Sequence, residues 1–178
     1  MVKIKAQLTI QYLASFIFFI GIVVLIYISY SANIPRFVEE VNKENTRSKA
    51  YQLSEILIND PGQPANWNDS SVSKDQIKRI GLSDHSTNKT NLILKSKIDK
   101  FDSTFNCDTN FKEVQDRLAL NRSFSIFIFN ITENGNRDLL FSCSSPVFPK
   151  TVINATVKRI TALNNNGKIE LAEIIVQM

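Results

Sequence analysis

Lys3-Ile4-Lys5-Ala6-Gln7-Leu8-Thr9-Ile10-Gln11-Tyr12-Leu13-Ala14-Ser15-Phe16-Ile17-Phe18-Phe19-Ile20 opens a stretch that meets no charge after Lys5 until Arg36, and the order within it decides the architecture. Basic residues come first, a polar and aromatic word second, the apolar run third. A secretory leader carries its cleavage site after the apolar segment. Here the distinctive word precedes it, so the apolar segment survives processing at that word. From 13 to 34 the chain is uncharged, and at ~1.5 Å per residue this run reaches ~33 Å, enough for the roughly 30 Å hydrocarbon core of a bilayer. A run of this length that is apolar all round is seldom the core helix of a water-soluble protein. Lys3 and Lys5 on the short flank hold that end in the cytoplasm by the positive-inside bias, which places the rest of the chain outside.

The word itself resembles the class III signal peptide of archaeal type IV pilin-like proteins: a basic residue, a small residue, then Q-x-S-x-E-Y-L, cut just before the glutamine by a prepilin peptidase. On that resemblance Lys5 is the basic position, Ala6 the residue before the cut and Gln7 the new N-terminus. Thr9 stands at the serine position, Gln11 at the glutamate, and Tyr12-Leu13 close the motif. Ala6 replaces the usual glycine, Thr9 keeps the hydroxyl, and Gln11 removes a charge. The phrases Leu53-Ser54-Glu55-Ile56-Leu57-Ile58-Asn59-Asp60-Pro61-Gly62 and Ile80-Gly81-Leu82-Ser83-Asp84 also resemble the ectodomains that follow such leaders. The resemblance implies a leader over 1–6, a helix over 7–59 that spans the membrane at about 13–34, and an extracellular head over 60–178. It further implies a subunit held first in the cell membrane and later in an extracellular filament, with other pilin subunits as partners through the N-terminal helix.

The residues themselves support a matching element order. Ile34, Val38 and Val41 continue helical spacing past Pro35, which kinks rather than ends a helix followed by strong helix formers. A second stripe returns at Leu53, Ile56 and Leu57, whereas 42–49 is polar on every side. Asn59-Asp60-Pro61-Gly62-Gln63-Pro64 is a hard stop. Residues 67–120 read as loops and short helices, with Ser73 an N-cap for 74–80 and apolar spacings of three or four over 94–101 and 111–118. From Ser123 the period falls to two, with strands over 124–131 and 138–143 around Asn134-Gly135, then 152–163 and 168–176 around Asn165-Asn166-Gly167. The expected fold is α+β: a long N-terminal helix followed by a head of short helices and a mostly antiparallel sheet, pilin-like in layout.

Composition narrows the function classes. Two of the 21 basic residues are Lys3 and Lys5, and the others mix with 17 acidic residues in no block able to track phosphates, so no nucleic-acid partner is expected. His85 is the single histidine and the five glycines are scattered, which leaves no basis for a catalytic residue, a metal site or a cofactor. The lysines and acids over 95–102 read as the solvated face of a helix. Cys107 and Cys143, the only cysteines, are a disulfide in an oxidising compartment or two buried thiols. The N-x-[ST] acceptor pattern for N-glycosylation occurs at Asn68, Asn88, Asn121, Asn130 and Asn154. Two other readings stay open: an N-in, C-out anchored binding module that never assembles, and a secreted protein cut after Ser29, Ser31 or Ala32.

Overall fold

The computed structural model describes residues 2–86, 89–146 and 155–178, with side chains from residue 11 onward except Asp108. The chain forms two compact units, Met1–Lys43 and Glu44–Met178. Helix α1, Val2–Asn59, runs through Pro35 without interruption, supplying the whole of the first unit and the opening segment of the second. Within it the most apolar 18-residue window has a mean hydropathy of 2.5, and none of that window is buried against the rest of the chain. By length and composition it can cross a membrane. The helix ends where Asp60-Pro61-Gly62 removes further helical backbone donors and geometry.

The second unit is a sheet with helices packed on one face. Among the described residues five strands follow in the order β1-β4-β5-β2-β3: β1 Leu92–Leu94, β2 Ser125–Ile131, β3 Arg137–Ser144, β4 Thr156–Asn165 and β5 Lys168–Gln177. Three of the pairings are antiparallel and β1 lies parallel to β4, so the sheet is mixed and mostly antiparallel. The β4–β5 hairpin turns through Asn166 and Gly167 at φ of 51° and 94°, the two consecutive left-handed residues that match a tight turn to strand twist. In β2 and β3 the register slips between Ile128 and Phe129.

Helices α2 (Lys95–Phe105) and α3 (Cys107–Arg117) join the 44–59 segment of α1 in one core. Ala50, Leu53, Leu57, Ile98, Phe101, Phe105 and Val114 from the helices meet Ile126, Ile128, Phe141, Ala172, Ile174 and Val176 from the sheet. Phe101 stacks on Phe141 with ring centroids 4.5 Å apart. The segment expected as a helix over 74–80 is a single 3-10 turn, Lys74–Gln76, where the Gln76 side chain accepts from the Ser73 N–H. Strand β1 was not expected: three residues are too few to show a period, and Leu82 and Ala162 fix them by long-range pairing.

Candidate functional site

The described side chains of the first unit present an exposed apolar surface over 12–34. Phe16, Phe18, Phe19, Leu25, Tyr27 and Tyr30 are all more than half exposed. Gln11, Tyr12 and Leu13 lie on the same helix with exposed side chains, while the side chains of Lys5, Ala6, Gln7 and Thr9 lie outside the described residues. At 11–34 only Ser, Asn and Tyr interrupt the hydrocarbon beyond Gln11, and Asn33 donates from Nδ2 to the Ser29 carbonyl four residues back, so its amide is satisfied within the helix. Such a surface needs lipid or other apolar helices around it.

In the second unit the two phrases 53–62 and 80–84 come together into one knot at the end of α1. The last helical carbonyls need partners. Leu57 O accepts from Leu82 N–H at 2.9 Å, and Asp60 O from Ser83 N–H at 3.1 Å. Arg79 forks onto the Asp60 carboxylate, Nε to Oδ2 at 2.8 Å and Nη2 to Oδ1 at 3.1 Å. Trp67, fully buried, donates from Nε1 to Gly81 O at 2.9 Å. Gly81 must be glycine, because a Cβ there would overlap the Asp60 carbonyl group.

Lys97 lies beneath this knot with no exposed surface. Its Nζ donates to Pro61 O and Ser83 O, each at 2.7 Å. Burial pushes the ammonium down to about 8, against the pull of the Asp84 and Asp60 charges, which favour the protonated form. Burial alone would raise Asp84, but hydrogen bonds from the Ser86 hydroxyl and backbone N–H and from Asn164 hold its carboxyl below the usual range. The reading of 95–102 as a solvated face is therefore corrected at Lys97. The available signal was its place four residues before Phe101, on the edge of the stripe Ile98, Phe101 and Phe105.

Cys107 at the start of α3 and Cys143 in β3 form a disulfide, with Cα atoms 5.2 Å apart. It ties a helix to the sheet. A second tie joins α1 to β4: Arg159 Nη1 donates to Glu55 Oε1 at 2.6 Å and the guanidinium lies 5.0 Å from the Tyr51 ring centroid. The Arg159 hydrogen bond is the main reason the Glu55 carboxyl is held below the usual range.

Compared with protein-family models, with characterised proteins and with solved structures, the chain matches none. Among the described residues no group of three or more His, Cys, Asp and Glu side chains could hold a metal ion. A concavity of about 810 Å³ lies at the tips of the β2–β3 and β4–β5 hairpins between Asn130, Thr132, Ala162, Lys168 and Leu171. Of its two acids, Glu133 and Glu170, the second is already paired with Lys168 at 3.0 Å and with Asn130 at 3.0 Å. The sheet face turned away from the helices exposes Leu139, Ile160, Ile169 and Leu171. Of the acceptor asparagines, Asn68, Asn121 and Asn130 are described, and Asn88 and Asn154 lie outside the described residues.

Proposed function

We propose that the chain is a pilin-like subunit, cut between Ala6 and Gln7 by a prepilin peptidase and assembled through its N-terminal helix into an extracellular type IV pilus-like filament. The observation that carries the reading is the pairing of a processing word, Lys5-Ala6-Gln7-Leu8-Thr9-Ile10-Gln11-Tyr12-Leu13, with an apolar helix that directly follows it and whose described side chains are exposed. A cut upstream of an apolar helix keeps that helix in the mature protein. In the bilayer lipid covers it. Outside the bilayer only the same helices of neighbouring subunits can, by close van der Waals packing of side chains such as Phe16, Phe18 and Phe19. The core over 44–178, tied by a disulfide, supports a head suited to an oxidising exterior.

The mature N-terminus tests the proposal. Gln7 as the first residue of the protein recovered from cells supports it. Met1 supports an anchored, unassembled module, and a start near Asn33 a secreted protein. Ala6 changed to a bulky residue, or Gln7 to a charged one, is expected to leave a slower-migrating membrane-bound precursor. Unchanged migration of both variants overturns the reading.

A further inference from the structure

We infer that Asn121 is a glycan acceptor, taking an oligosaccharide from a lipid-linked donor, and that Asn68 and Asn130 are not. All three match the same three-residue pattern, so sequence ranks them equally; the fold does not.

Asn121-Arg122-Ser123 lies in the connection between α3 and β2, where Asn121 and Ser123 are exposed. The backbone beneath them is held. Leu120 N–H donates to Gln115 O at 2.9 Å, Gln115 Nε2 donates to Arg122 O at 2.9 Å, and Arg122 Nη1 reaches Thr46 Oγ1 at 3.0 Å. Phe124 closes the connection as a fully buried anchor. The loop thus ties its middle residue to α1 through the guanidinium and leaves the residues at 121 and 123 exposed, and their amide and hydroxyl are the two groups a transferase reads in this pattern.

Asn130 is placed oppositely. It sits in β2 with β5 and β3 on its two sides, its Nδ2 donates to Glu170 Oε2 at 3.0 Å, and its Oδ1 is buried. Thr132, which would supply the hydroxyl, is engaged with the Asn136 carbonyl at 3.3 Å. At Asn68 the Nδ2 donates to Ser96 Oγ at 3.1 Å and the Oδ1 is buried. A sugar on either nitrogen takes one of its two N–H groups and competes with the hydrogen bond that nitrogen already donates.

The transfer balances simply. The Asn121 Nδ2 forms a bond to C1 of the reducing-end sugar, the bond from C1 to the lipid phosphate oxygen breaks, the lipid phosphate leaves with the electron pair, and the amide nitrogen gives up one proton.

This inference rests on the outward placement of the head in the function proposed above. The test uses the full chain expressed in its own host, with mass spectrometry of proteolytic peptides. The peptide containing Asn121 is expected to carry a saccharide increment that is lost in Asn121→Gln and Ser123→Ala, kept in Ser123→Thr, and unaffected by Asn68→Gln or Asn130→Gln. Unchanged Trp67 emission in each variant excludes misfolding. A bare Asn121, or sugar on Asn68 or Asn130, overturns the inference. Protease added to intact cells separates the two failures: a bare Asn121 on a head that is digested refutes the acceptor alone, whereas a protected head refutes the outward placement as well.

Discussion

Lys97→Met, followed from pH 7 to pH 10, tests the buried lysine. An unfolded lysine titrates near its ordinary value of 10.5, and in the folded head burial brings it to about 8. Below about pH 8 both states are protonated and the cost of burying the ammonium is fully present. Between about 8 and 10.5 the unfolded chain binds more protons than the folded one, so stability rises with pH over that window. At about 1.4 kcal/mol per pKa unit the full gain is roughly 3 kcal/mol. The contacts survive the change, because a neutral amine keeps two N–H groups for its two acceptors, Pro61 O and Ser83 O. Urea unfolding of the chain in detergent, read by Trp67, measures the effect; Trp67 is the single tryptophan and is bonded to Gly81 in the same knot. The informative quantity is wild type minus Lys97→Met, in which the other lysines cancel. It should grow by up to about 3 kcal/mol toward the alkaline end. A flat difference, or one that shrinks, refutes the burial argument.

Reducing the Cys107–Cys143 disulfide, whose partners are 36 residues apart, should lower the head's stability by about 3–4 kcal/mol through the loop-closure entropy restored to the unfolded chain. Denaturant midpoints with and without reductant measure this, and equal maleimide labelling in both conditions would contradict the bond. Gly81→Ala should cost more than about 3 kcal/mol, because the knot must open to admit the methyl group beside the Asp60 carbonyl; a loss below about 1 kcal/mol would show that the approach is not tight. Gln11 stands where the resembling family carries a glutamate, whose carboxylate supplies a countercharge for a neighbour's N-terminal amine, so the amide should weaken self-recruitment and make this a low-copy subunit. Quantitative mass spectrometry of purified filaments checks it, with Gln11→Glu expected to raise incorporation and a wild-type chain already dominant sinking the low-copy idea alone.

What the sequence discloses follows from how local each cause is. The β4–β5 hairpin was legible because alternation and Asn166-Gly167 are both properties of neighbouring residues. The hydrophobic stripes of α2 and α3 were legible for the same reason, at spacings of three and four. Strand β1 was not, since its three residues become a strand only when β4, seventy positions downstream, offers its edge. Lys97 failed differently. A lysine among Lys95, Asp99, Lys100 and Asp102 reads as solvent-facing, and it is buried because the turn after α1 and the 80–84 segment bring the Pro61 and Ser83 carbonyls within reach of its Nζ. That cause lies in residues 57–61 and 81–83, and the two phrases were visible as words before their meeting was visible as a place. A charged residue on the edge of an apolar stripe is therefore worth testing against every helix end or tight turn the same sequence implies. Its charge has a structural use only where some other segment brings unpaired carbonyls into reach.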